Sequence, residues 1–269
     1  MADAAGGTGR RAGSPGWAVV LEQELRDLWM GGRGLPLSLA FSILLSVITY
    51  LVATNTALNF LEQRESVDLL EEVAIAVGAL LALLVAADAV SGERERATLE
   101  TLLLTPVPRR QLVCGKLLSA LSLWLVALVI TVPYVWFLGR GVGIVADALA
   151  AGLVVGALLA AFLASLGIVV SQHVGSNRVS LSLSLFLLLA LYAPTQLPSS
   201  AQHGRAGELL LRLNPVAAGE HFVGQIVVSG HAWSDDVSWL VAPAVAAVVF
   251  AGVAMLRAPF LRLQGGLSG

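Results

Sequence analysis

The sequence predicts an all-α fold, a polytopic membrane helix bundle with six transmembrane helices and an N-terminal amphipathic interfacial helix. Three observations predict it. The 269 residues are 57% hydrophobic and only 13% charged, against roughly 25% charged in an average soluble domain, and mean hydropathy is +0.83. Six separate runs are apolar over the length a helix needs to cross a hydrocarbon core of about 30 Å at about 1.5 Å per residue. Lys and Arg fall unevenly on alternate sides of those runs, the asymmetry that orients membrane proteins.

Residues 1–16, rich in Gly, Ala and Ser, read as a disordered leader. Arg10 and Arg11 resemble a twin-arginine signal, but the next long apolar run begins more than twenty residues later, which speaks against it. Over 17–34, Trp17, Leu21, Leu25 and Leu28 recur at helical spacing while Glu22, Glu24, Arg26 and Asp27 fill the rest of the wheel. That pattern predicts an amphipathic helix lying at the inner membrane surface with Trp17 and Trp29 at headgroup depth, or packed on a soluble partner.

The six spans run over about 35–54, 73–90, 117–138, 148–170, 179–197 and 240–257. Twelve of the sixteen basic residues lie in the leader, loop 91–116, loop 171–178 and the tail 259–269 with its approach; Arg64, Arg140, Arg205 and Arg212 lie on the other side. Both termini are therefore expected in the cytoplasm, with the chain in the cell membrane. The first outer loop, 55–72, carries Glu62, Glu65, Asp68, Glu71 and Glu72 and suits the outer face.

Several function classes lose support. A net charge of −2 offers no basic field for nucleic acid. Cys114 is the lone cysteine, so the chain builds neither an intrachain disulfide nor a thiolate metal cluster. Asp88 sits near the inner end of the second span, and the middles of all six hold no ionisable residue, whereas coupled carriers place such groups near the midplane. His173, His203, His221 and His231 all fall in loops and read as solvated side chains rather than metal ligands.

In the fourth span Gly152, Gly156, Ala160 and Ala164 stand four residues apart, a small-residue stripe that suits helix packing within the subunit or a dimer face. Ser180 and Ser184 share a face of the fifth span and can bond to main-chain carbonyls or to another helix. Pro133 is expected to kink the third span by removing a backbone donor.

The cytoplasmic loop 91–116 reads SGERERATLETLLLTPVPRRQLVCGK. Its first fourteen residues follow a helical pattern in which Glu93, Arg96 and Glu100 are spaced for ion pairing and Leu99, Leu102 and Leu103 form an apolar edge. Pro106 and Pro108 then forbid continuation of the helix.

This residue order resembles the first cytoplasmic loop of ABC-2 type ABC transporter permeases, which reads roughly E-x-x-x-G-T-L-E-x-L-L-x-x-P, a basic residue, then G-K. The matching residues are Glu93, Thr98, Leu99, Glu100, Leu102, Leu103, Pro106, Arg109, Gly115 and Lys116. Ala97 stands where the family usually has glycine, which is expected to keep the stretch helical. The resemblance extends to the plan of amphipathic helix, six spans and a long last outer loop, 198–239, containing Asn214 and Pro215.

The resemblance implies a membrane-spanning permease subunit of an exporter that forms the translocation pathway. It would act as a homodimer or beside a paralogous permease subunit, surrounded by membrane lipid. An ABC ATPase subunit would dock on the 91–116 loop through Glu93, Arg96, Glu100, Leu102, Leu103, Arg109 and Arg110, and Asn214 and Pro215 would belong to an outer-loop cap. No G-x-x-x-x-G-K-[ST] occurs in the chain, so it is expected to be no enzyme, with no cofactor of its own and with ATP and Mg on the partner subunit. The alternative is a membrane scaffold or biogenesis factor that docks a cytoplasmic partner and transports nothing.

Overall fold

The computed structural model describes residues 16–54, 60–98, 107–196 and 204–260. Nine principal helices run in chain order: α1 Gly16–Trp29, α2 Gly34–Ala53, α3 Phe60–Glu95, α4 Arg109–Gly139, α5 Val145–His173, α6 Asn177–Tyr192, α7 Arg205–Leu213, α8 Pro215–Val227 and α9 Val241–Arg257. No strand occurs among the described residues. Six of the helical segments are long and apolar enough to cross a membrane. They define a basic end, where α1, the end of α3 and the start of α4 lie, and an opposite cap end, where α7 and α8 lie.

The core is built on α5, which packs mainly against α3 and also against α4, α8 and α9. The small-residue stripe explains this central position. A Cβ on Gly152 would lie 2.8 Å from the Glu71 carboxyl of α3, and one on Gly156 would lie 3.0 Å from Trp124 Nε1 of α4. Ala160 and Ala164 are fully buried. The stripe is thus covered within one chain. By contrast α2, α6 and α9 leave large apolar side chains uncovered, among them Leu39, Leu51, Phe186, Leu189, Val248 and Leu256, as lipid-facing or partner-facing helices do.

Two segments differ from the sequence reading. The acidic stretch expected as the first outer loop is helical from Phe60 onward and continues into the span. α3 is therefore 36 residues long, about 54 Å, and the buried Val67, Leu70 and Glu71 are part of the bundle. Hydropathy alone hid this, because five acids interrupt the apolar residues of a helix whose inner face α5 and α8 cover. The region 198–239 likewise contains α7 and a deeply buried α8, and His221 lies within α8, its ring 3.9 Å from that of Trp239. His203 lies outside the described residues.

Asn214 and Pro215 start α8. Asn214 Oδ1 accepts hydrogen bonds from the amides of Val216 (2.9 Å) and Ala217 (3.2 Å), while its Nδ2 donates to Leu191 O at 2.7 Å. Proline at the first helical position sacrifices no needed donor. The pair both caps α8 and ties it to the end of α6.

The expected helix over the start of loop 91–116 also ends early. α3 stops at Glu95 in a Schellman closure: Thr98 N donates to Glu93 O (3.0 Å) and Ala97 N to Arg94 O (3.2 Å). Ala97 takes the left-handed conformation that this closure requires, with φ +59°. The local bend therefore exists without its glycine, held by the anchored residues on either side. A97G is expected to raise stability by about 1 kcal/mol by relieving the Cβ clash, read as an increase in Tm. Were Ala97 a helix-interior residue, glycine would lower Tm instead.

Candidate functional site

Glu100, Leu102 and Leu103 of the expected coupling loop lie outside the described residues. The described flanks form a connected polar site at the basic end, and its centre is Lys116. This side chain is only 4% exposed, and its ammonium group pairs with Glu24 of α1 at 2.5 Å and with Glu93 of α3. Beside it, a Cβ on Gly115 would lie 2.7 Å from Val20 Cγ1 and 3.1 Å from the Leu21 amide. The Gly-Lys pair thus has two separate tasks. Glycine lets α1 cross α4 at backbone distance, and lysine ties that crossing to the end of α3.

α1 is accordingly docked along α4 of its own chain, with Val20 and Leu28 buried. Trp29 turns inward, its Nε1 donating to Ser122 Oγ at 3.4 Å, while Trp17 stays partly exposed.

A second cluster surrounds Asp88. Arg33 donates to it at 2.7 Å, Arg96 at 2.8 Å and Asn177 Nδ2 at 2.7 Å. Asp88, Gly92 and Arg96 stack on one helix face, and a Cβ at Gly92 would lie 2.1 Å from Asp88 Oδ1. Glycine at 92 is what lets the pair meet one turn apart on either side of it. Arg94 donates to Val174 O, and Glu95 Oε2 accepts from the Asn177 amide at 3.1 Å. The end of α3 is so strapped to the start of α6 and the α5–α6 turn. Of the other sequence-predicted residues, Arg109 donates to Pro259 O at 2.7 Å and Arg110 is exposed. The sequence pattern spaces Glu93, Arg96 and Glu100 for ion pairing along one helix; in the structure Glu93 holds Lys116 and Arg96 holds Asp88.

Between these two clusters lies a cavity of about 870 Å³, bounded by α1, α2, α3, α4 and α6. One wall is polar, with Asp88, Arg33 and Asn177; another is apolar, with Leu37, Leu84 and Leu181. Among the described residues no group of three or more His, Cys, Asp or Glu side chains is placed to hold a metal ion.

The family description of ABC-2 family transporter proteins matches residues 18–255. The chain belongs to the ABC-2 transporter family. It is a membrane permease component of an ABC transporter, multi-pass and not itself the catalytic part. Among curated proteins none matches the chain. In this ABC-2 permease the Gly115-Lys116 step of the family pattern acquires a structural reason, since both residues serve the contact between α1, α3 and α4.

The cap end carries a different chemistry. Glu220 of α8 is pushed up to about 7, first by burial and then by the neighbouring charges of Glu72 and Asp68, partly offset by its hydrogen bond with Thr195. A raised folded-state value means that the folded chain binds the proton more tightly than the unfolded one. Its stabilising share is complete below the ordinary value of 4.5 and is lost as pH climbs to about 7. Thermal stability is expected to decline across that window, and E220Q to flatten that part of the profile, measured by Tm against pH.

Proposed function

We propose that this permease forms the pathway of an exporter and is driven by a separate ABC ATPase subunit docked at the 91–116 loop. The observation that supports the reading is the Lys116 junction. Because one buried ammonium joins α1, α3 and α4, a force applied at the α3–α4 connection reaches three helices at once. Packed elements with discrete contacts transmit such displacements better than a solvated loop.

On this reading the basic end is cytoplasmic, in line with the excess of Lys and Arg there. Arg110, exposed beside the loop, is a handle for the ATPase, along with Glu100 and Arg109. Glu93 and Arg96 act inside the lever. ATP and Mg belong to the ATPase. The cavity beside Asp88 is the mouth of the pathway, and a homodimer or a paralogous subunit covers the open faces of α2 and α6 that flank it.

Extraction of the tagged chain from its native membrane in mild detergent is expected to bring a near-equimolar P-loop ATPase with it. Reversing the charges of Glu100 and Arg109 together is expected to lower that recovery or the ATP turnover of the complex. A chain that purifies without an ATPase, or a complex indifferent to the double reversal, would overturn this coupling.

A further inference from the structure

The longest helix carries a carboxyl group that no basic side chain answers among the residues lining its recess. Glu71 of α3 is 2% exposed and faces a recess between α4 and α5. Its Oε1 lies 2.8 Å from the point a Cβ on Gly152 would occupy, and its Oε2 is buried without a hydrogen-bond partner. In front of it is a cavity of about 20 Å³ whose wall includes Trp124, Leu128, Thr131, Leu149 and Gly152. That is room for a single water molecule. Thr131 and Gly152 lie about 12 and 10 Å inside the cap ends of α4 and α5, counted along the helices. The recess is inside the bundle.

We propose that Glu71 is a proton-binding site, its carboxyl group holding the proton together with one water molecule in the recess opened by Gly152. A bare carboxylate in such a place lacks compensation and is strongly disfavoured. From α4 and α5 it is faced by Trp124, Leu128, Thr131, Leu149 and Gly152, none of them charged. On its own helix the charge that acts on it is Asp68, which is of the same sign. Glu72 and Glu220 of α8 add negative charge beside Asp68, and Arg64 donates to the carbonyls of Val227 and Val228.

A protonated Glu71 donates to the water, and the water donates to Thr131 Oγ1, whose own hydrogen is used on Ala127 O at 2.8 Å. A hard metal cation is a poor fit, because it needs six or more oxygen ligands and the recess offers two side chains with oxygen. Proton release leaves the seam between α3 and α5 to open or Glu71 to find solvent, so occupancy of the site is coupled to the packing of the bundle core.

The test uses the full chain in liposomes and needs no ATPase. pH-difference infrared spectroscopy is expected to show the carbonyl stretch of a protonated carboxylic acid that disappears as pH rises. E71Q is expected to lack that band, and G152A, which fills the recess, to shift both its frequency and its midpoint. In parallel, dicyclohexylcarbodiimide is expected to modify wild-type Glu71 at acidic pH and to lose that reactivity at alkaline pH, mapped by peptide mass spectrometry. The mapping stands even if E71Q does not fold. A missing band together with an unmodified Glu71 would overturn the assignment, and so would a band that persists unchanged until the protein unfolds. Bleaching of the band by sodium at constant pH would equally overturn it, in favour of a metal cation.

Discussion

Replacing Lys116 with methionine is expected to cost about 3–5 kcal/mol of stability, the range for removing one partner of a buried charge pair. Methionine fills the volume, so the loss is electrostatic. Glu24 and Glu93, with side chains 24% and 18% exposed, would face each other without the ammonium between them, and Glu93 Oε2 already lacks a partner. Thermal unfolding followed by tryptophan fluorescence checks this, because Trp29 sits where α1 meets α4 and reports undocking directly. Two comparisons separate burial from charge. K116M combined with E93Q is expected to recover part of the loss, since the unanswered carboxylate is gone. R26A removes a pair with Glu22 whose partners are 64% and 73% exposed, and it is expected to change stability by no more than about 0.5 kcal/mol.

The same junction shows where the sequence was legible and where it was not. Apolar runs at 35–54 and 240–257 coincide within a residue with α2 and α9, because lipid-facing helices are apolar all round and announce both ends. The motif around Glu93, Gly115 and Lys116 was legible as a family pattern, while its contacts were not. Glu93 and Lys116 are 23 residues apart in sequence and meet only because α3 and α4 return antiparallel to the same end. Spacing along one helix suggests ion pairing only among Glu93, Arg96 and Glu100, since local periodicity carries no information about partners on another helix.

The Glu71 recess was illegible for a related reason. Five acids between 62 and 72 suit an outer loop, and the difference between Glu65, which is exposed, and Glu71, which is buried, is made by what stands opposite. Gly152 stands against Glu71. The one clue available beforehand was the small-residue stripe itself, which fixes a close approach without naming the helix that makes it. Ala97 failed in the other direction. Its side chain argued for continued helix, but the two Schellman hydrogen bonds and the pairs at Glu93 and Arg96 outweigh a left-handed cost of about 1–2 kcal/mol.

Adding one methyl group at Gly167 is expected to destabilise the bundle, though by less than losing Lys116. The Cβ of G167A would lie 2.8 Å from Leu83 O, 3.0 Å from Ala87 N and 3.1 Å from Ala86 Cβ. Two of these are backbone atoms of α3, so no side-chain rotation relieves the contact and the helices must separate. Separation opens a seam in which Ala79, Ala82, Leu83, Ala86, Leu163, Ala164 and Ile168 are all fully buried, and each forfeits dispersion contacts over even a fraction of an ångström. It also strains the polar strap one turn further on, where Ser171 Oγ accepts from the amides of Val90 (3.1 Å) and Ser91 (2.8 Å) and Ala87 O accepts from Ser180 at 2.7 Å. Overpacking of a rigid contact costs about 1–3 kcal/mol, partly offset by the gain of about 0.5–1 kcal/mol from replacing glycine in a helix. G167A is therefore expected to lower Tm, and G167L to prevent recovery of a monodisperse protein. Gly252 on α9 has nothing within 4 Å of its Cβ position, so G252A is expected to leave Tm unchanged or raise it. Equal behaviour of the two alanine variants would mean that α3 and α5 do not meet at Gly167.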